Sequence, residues 1–137
     1  MKKKISIILT MLPAVLTLLF LAGCGPGELE VAHTISGEDY QIEILAPKGE
    51  FREGEIPLSI RITRDGEIVE LSEGRLDLHM PEMGAMPRMD TGTNFTKSGS
   101  GLQGEIFFEM DGGWQGTIEV TAADGESISK SIRIRVK

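Results

Sequence analysis

The sequence has few of the residues that enzymes most often use for catalysis. Its 137 residues include one cysteine and two histidines. A lone cysteine excludes an internal disulfide framework. The sequence contains no Gly-x-Ser-x-Gly motif, phosphate-binding loop or paired-histidine zinc motif, and no pair stands out among its carboxylates. We therefore predict a protein that is not an enzyme and whose core holds together by packing alone.

Positive charge is also scarce. The chain has 14 Lys and Arg against 21 Asp and Glu, which gives a net charge of −7. Residues 1–23 hold three of the basic residues and none of the acidic ones, so the rest of the chain carries −10. Binding to nucleic acid depends on neutralising phosphates with basic side chains, and this composition argues against it. An anionic lipid surface would repel the same charge.

One uninterrupted apolar run stands at the start of the chain. Lysines at positions 2–4 precede an uncharged stretch over residues 5–20, and Leu-Ala-Gly-Cys then ends at Cys24. This layout is typical of a secretory signal peptide, and its last four residues resemble a bacterial lipobox. The alternative is a retained transmembrane helix, which needs about 20 apolar residues. We predict a signal peptide over residues 1–23, lipid attachment at Cys24, and a membrane-anchored position in the cell envelope outside the cytoplasm.

Residues 24–39 have the composition of a spacer. They are rich in Gly, Pro and Glu, and only residues 31–35 show any apolar periodicity. We predict a flexible tether here, which would let the domain stand away from the membrane. His33 falls in this stretch, and we expect it to be solvated.

From Tyr40 onward, apolar residues alternate with polar ones. Successive side chains of a strand point to opposite faces, so each alternating segment has one buried and one wet face. No apolar stripe at helical spacing appears after the leader. The alternating segments are 40–44, 56–62, 76–80, 102–108, 114–122 and 128–136.

Turn residues separate these segments. Asp65-Gly66 and Asp124-Gly125 are typical of tight hairpins. Residues 91–101 are rich in Gly, Ser and Thr, and we interpret them as a long mobile loop. Trp114 begins a strand and is expected to fill the core. The pattern predicts an all-β fold, an immunoglobulin-like antiparallel β-sandwich of about seven strands over residues 40–137.

Four of the chain's seven methionines crowd into one segment, HMPEMGAMPRMD, at residues 79–90. They lie three residues apart, directly behind a histidine: His79, Met80, Met83, Met86 and Met89. Met80 continues the buried parity of its strand, so His79 should point to the opposite face. Pro81 suits the first position of a short helical turn, which would place Met83 and Met86 on one face. In an extended chain those two would lie roughly 10 Å apart.

Thioether sulfur is a soft, uncharged ligand. It binds Zn²⁺, Mg²⁺ and Ca²⁺ poorly and Cu(I) well, and imidazole also suits copper. The segment therefore predicts a Cu(I) site whose candidate ligands are His79, Met80, Met83, Met86 and Met89. Two other roles fit the same residues. Methionine is a flexible filler of cores, and exposed methionines suit adaptable contact with an envelope protein partner.

The segments LHMPEMGAMP (78–87) and GEIFFEMDGGWQGTIEV (104–120) together resemble the YtkA-like domain. That family shows a strand ending in Met-Pro-x-Met, followed by a Met-x-Gly-x-Trp signature. The second signature is formed here by Met110, Gly112 and Trp114. GEIPLSIRITRDGEIVEL (54–71) is similar to the family's early hairpin. The resemblance covers residues 40–136.

The resemblance implies a small extracytoplasmic immunoglobulin-like sandwich of the kind often found on lipoproteins. It also implies a layout similar to envelope proteins linked to copper delivery and respiratory oxidase assembly. Members often show a histidine beside the methionines, where this sequence has Ala85.

Overall fold

Antiparallel strands make up the domain in the computed structural model, which describes residues 28–137. In chain order they are β1 (Leu29–Ser36), β2 (Tyr40–Pro47), β3 (Gly54–Arg64), β4 (Glu67–Val69), β5 (Leu71–Met80), β6 (Met89–Ser98), β7 (Gly101–Phe108), β8 (Gly112–Ala122) and β9 (Ser127–Val136). The predicted all-β class is confirmed, with nine strands where the sequence indicates about seven. The predicted signal peptide and Cys24 lie outside the described residues. Within residues 28–137, no helix has the length and hydropathy needed to cross a membrane.

The alternating pattern decides which side chains form the core. In residues 28–137 every buried side chain is apolar, and most of them belong to the alternating segments of the sequence. Trp114 is 1% exposed, as expected for core filling, and packs edge-on against Phe108 at 5.5 Å between ring centroids. Burying a large apolar side chain stabilises a fold by roughly 1.5–3 kcal/mol. This inner layer is therefore the main source of stability.

Two sheets pack face to face, and β6 joins them. The first sheet runs β1-β2-β3-β7, with β4 beside β3, and the second runs β5-β8-β9. β6 pairs with β5 up to Phe95 and with β7 from Thr96 onward, so one strand crosses between the sheets. On the other side a parallel bridge between Phe51 and Val136 links them again. The predicted sandwich is therefore nearly closed.

The predicted hairpin turns are present. Asp65 and Gly66 have φ angles of 52° and 80° between β3 and β4. Positive φ at both central residues is the type I′ geometry that matches the twist of paired strands. At the other turn the Gly125 amide donates to the Ala122 carbonyl at 2.9 Å, just before β9.

Two stretches that the sequence predicts to be flexible are strands. Residues 24–39 were expected to be a tether, but Leu29–Ser36 forms β1 and pairs along β2. A bulge between Val31 and His33 breaks the alternation there, which hides the strand from pattern analysis. The expected loop over residues 91–101 is mostly β6. A Cβ at Gly92 would lie 2.6 Å from the Leu76 carbonyl oxygen, so glycine there reflects close packing.

His33 is not the solvated tether residue that the sequence predicts. It is half-buried in β1 and lines a small pocket with Arg133 and Arg135 of β9. Desolvation lowers the pKa of His33 below its usual 6.5. The neutral imidazole is therefore the form that the folded domain favours.

Lowering the pH should destabilise the domain through His33. Because its pKa is lower in the folded state, the unfolded state binds more protons once the pH falls below about 6.5. The stability that depends on neutral His33 is therefore fully present above about pH 6.5, and it is lost as the pH falls through the pKa of His33 in the folded state. Urea unfolding at pH 8 and pH 5.5 should show a smaller stability difference in His33→Gln than in wild type. Equal differences in the two proteins would contradict this assignment.

A substitution of Phe95 tests whether residues 89–98 form an ordered strand or a mobile loop. The Phe95 ring is 3% exposed, where β6 changes partner. Phe95→Ala should lower the free energy of unfolding by roughly 3–5 kcal/mol because a large buried ring is lost. The neighbouring exposed Thr96→Ala should change it by no more than about 0.5 kcal/mol. Urea denaturation measures both, and similar small effects would support a mobile loop instead.

Candidate functional site

One end of the sandwich collects the methionines, and we call it the methionine end. The register places the end of β5 beside the start of β6, with Met80 opposite Met89. The start of β8 lies at the same end, since β8 is antiparallel to β5 and begins at Gly112. The loop between β7 and β8 therefore meets the β5–β6 tip.

The tip is a tight β-turn and not the predicted helical turn. Met83 and Met86 exchange backbone hydrogen bonds, with N···O distances of 3.3 and 3.0 Å in the two directions. Between them Gly84 has φ +60°, while Ala85 keeps a negative φ, which indicates the type II′ pattern with glycine first. Directly opposed residues have Cβ atoms about 5 Å apart on one side of the hairpin. The prediction that Met83 and Met86 come together is confirmed, through strand pairing.

The prolines allow four methionines to meet despite their spacing. Residues three apart on a regular strand point to opposite faces, which would separate Met80 from Met83. Pro81 and Pro87 cannot donate to the ladder, and the pairing is interrupted between the Met80–Met89 and Met83–Met86 pairs. All four methionines consequently line one cleft of about 300 Å³.

Met110 belongs to the cleft although it was not among the predicted ligands. It lies in the β7–β8 loop and lines the same cleft, so every methionine in residues 28–137 contributes to it. The Trp114 indole N–H donates to the Met110 carbonyl at 3.1 Å, and the Asp111 amide donates to Glu53 Oε1 at 2.7 Å. These bonds fix the loop. The Met-x-Gly-x-Trp signature was the available signal, since it links Met110 to the buried tryptophan.

The five thioethers form a gradient from floor to rim. Met80 is 8% exposed at the floor, Met89 and Met110 are half-buried, and Met86 and Met83 are 44% and 68% exposed at the rim. Gly112 makes room for the floor, because a Cβ there would approach the Met80 methyl carbon to 3.0 Å. Soft, uncharged donors are thus reachable from solvent and backed by a buried one.

Charged groups beside the cleft come in both signs. Asp111 and Arg135 are part of its lining. Arg88, which could oppose a bound cation, pairs with Asp90 at 3.1 Å from Nε to Oδ1. Much of its charge is therefore offset locally.

His79 lies apart from the methionines, on the outer face of the second sheet. Its Nε2 is 3.3 Å from Gln115 Nε2, and it lines a polar groove that also includes Arg133. The prediction that the side chains of His79 and Met80 point to opposite faces of the strand is confirmed. The described part of the chain contains no group of three His, Cys, Asp or Glu arranged to hold a metal ion.

The comparisons with known proteins concern the segment that builds this end. The family profile described as YtkA-like matches residues 36–119, more than half of the chain. The chain belongs to the YtkA-like family. The match includes the tip, Met110 and Trp114, whereas most of β1 and all of β9 lie outside it. No curated protein and no solved structure gives a significant match to this YtkA-like chain.

Gly112 and Gly113 provide a matched pair for testing the floor of the cleft. Gly112 has φ +123°, and a Cβ there would approach the Met80 methyl carbon to 3.0 Å, whereas a Cβ at Gly113 would meet nothing within 4 Å. Gly112→Ala should cost roughly 1–3 kcal/mol through backbone strain and should displace the Met80 methyl group. Gly113→Ala should stay within about 0.5 kcal/mol of wild type. Urea unfolding and ¹³C-methyl methionine NMR measure the two effects, and equal spectra for both variants would contradict the described floor.

Proposed function

We propose that the methionine cleft binds Cu(I) and that the chain is an extracytoplasmic binding module, anchored to the envelope membrane by lipid on Cys24. One observation carries the proposal: all five methionines of residues 28–137 converge on a single cleft. They reach it from the end of β5, the tip, the start of β6 and the β7–β8 loop. Core filling alone does not require flexible side chains to share one opening to solvent.

Ligand chemistry selects the ion. Thioethers are soft and neutral, so they favour Cu(I) over Zn²⁺, Mg²⁺ and Ca²⁺. Met83 and Met86 are the primary ligands in this proposal because they are paired and accessible. Met89 or Met110 completes the set from the wall of the cleft.

An exported location favours methionine over cysteine for this task. Thiols outside the cytoplasm tend to form disulfides, whereas thioethers do not. The family resemblance implies a layout similar to envelope proteins linked to copper delivery and respiratory oxidase assembly, and we propose copper handling of this kind as the role of the module.

Competition with a Cu(I) chelator under anaerobic conditions tests the site. The domain should bind one Cu(I) with a Kd below roughly 1 µM, about −8 kcal/mol. Met83→Leu combined with Met86→Leu should weaken binding at least tenfold, since leucine keeps the volume and removes the sulfur. The control is Ile68→Leu, at an exposed position in β4 at the opposite end, which should bind normally. Unchanged affinity in the double variant would refute the proposed ligands.

A second candidate function is docking of a protein partner on the tip. The rim methionines expose apolar surface on a protruding turn, with Met83 at 68%. Flexible methionines suit a contact surface that adapts to its partner. In this case the module would be structural, with no metal.

The choice of replacement separates the two functions. The leucine double variant should lose copper but keep an apolar contact, whereas Met83→Ser with Met86→Ser should lose both. Crosslinking in intact cells from Ala85, replaced by a photoreactive amino acid, reports the contact. A crosslink that persists with leucine and disappears with serine would favour docking, and no crosslink with any variant would count against it.

A further inference from the structure

The chain enters the domain at the methionine end. β1 begins at Leu29, which pairs with Pro47 at the end of β2. β3 begins nearby, and its Gly54 pairs with Phe108, the last residue of β7. The β7–β8 loop that follows Phe108 carries Met110. The start of β1 and the cleft therefore share one end of the sandwich.

The strand β1 shortens the link to Cys24. Residues 24–39 were predicted to be a flexible tether, but the first strand of the domain already begins at Leu29. Even a fully extended chain from Cys24 to Leu29 spans at most roughly 18 Å. A lipid on Cys24 would therefore hold the methionine end close to the bilayer.

Exposed apolar side chains are concentrated at the same end. In residues 28–137 five large hydrophobic side chains are exposed: Val31, Ile68, Met83, Met86 and Phe107. Val31 lies near the start of β1, Phe107 near the end of β7, and the two methionines form the tip. Only Ile68, in the short strand β4, lies at the opposite end. Scattered exposed hydrophobic side chains are ordinary, but four of the five lie at the methionine end, and this uneven distribution favours a contact there.

We propose that the methionine end rests on the lipid surface of the membrane that carries the anchor, so that the cleft opens toward the bilayer. This inference rests on the lipid anchor of the proposed function and does not require copper to be bound. The lipid anchor keeps the domain at high local concentration beside the bilayer. The exposed apolar side chains can therefore make a shallow contact with the headgroup region even where anionic lipids would repel the net charge of the domain. A donor or acceptor of the cleft's ligand would then reach it from the membrane plane.

Energy transfer to a labelled bilayer tests the orientation. Cys24 is the only cysteine, and lipid attachment removes its thiol from labelling. A fluorophore is attached to Ala85→Cys at the tip or to Ser100→Cys in the β6–β7 turn at the opposite end. The strands are about ten residues long, so the labels lie roughly 30 Å apart. The lipidated full chain is placed in phosphatidylcholine vesicles that contain a headgroup-labelled acceptor lipid.

The label at position 85 should lie nearer to the bilayer than the label at position 100, by most of the roughly 30 Å that separates them. Met83→Ser with Phe107→Ser should reduce its energy transfer, whereas Ile68→Ser at the opposite end should not. Equal transfer from the two positions, or stronger transfer from position 100, overturns the orientation. If position 85 is the nearer one only when native membrane proteins are added to the vesicles, the proposed contact with lipid is overturned.

Vesicle flotation separates this result from a failure of the anchor. Wild type should float and Cys24→Ser should not, and a wild-type chain that fails to float overturns both the anchor and this inference. Copper affinity, measured on the same chain, tests the cleft independently of its orientation.

Discussion

The pairing of β5 with β6 sets the position of everything at the methionine end. Its register runs without a shift from Gly74–Phe95 to Met80–Met89, and the Met83–Met86 pair continues it beyond the prolines. A slip of one residue would turn the inward side chains outward. The same strand β6 joins the two sheets, so register, core and tip depend on one another. The tip is thus an extension of the sandwich and not an independent loop.

Much of the fold could be predicted because burial on one face imposes period two on the sequence. The segments around Ile42, Ile60, Leu76, Ile106, Ile118 and Ile134 all became strands with these residues buried. The strand β1 was not predicted, because its bulge breaks the alternation and its side chains are only partly buried. The strand β6 was not predicted either, because the composition around Gly92 and its Thr neighbours is typical of a loop. The close approach that requires glycine there depends on a partner strand, which local sequence does not show.

The candidate site was predictable only in part. The crowding of Met80 to Met89 is a local property of the sequence, and the structure brings all four together. Met110 arrives from a loop 21 positions beyond Met89, through the antiparallel placement of β8 beside β5. The prediction of a helical turn was wrong. It relied on Pro81, which suits a helix start, whereas Gly84 with its positive φ closes a two-residue hairpin. His79 was separated from Met80 correctly, since adjacent strand residues face opposite sides.

The exposure gradient across the cleft bears on what kind of binding it can support. A site for permanent storage gains from enclosing its ligand, because burial removes competing water and strengthens every contact. Here the paired rim thioethers remain accessible, and Met80 is the one buried methionine of the five. Neutral donors also leave the charge of a bound cation uncompensated, and the Asp111 carboxylate in the cleft lining is opposed there by Arg135. Such a site would favour exchange over retention, since a competing ligand could displace the rim sulfurs one at a time. The bonds from Trp114 and Asp111 keep the surrounding loop fixed, so release would require no unfolding of the domain.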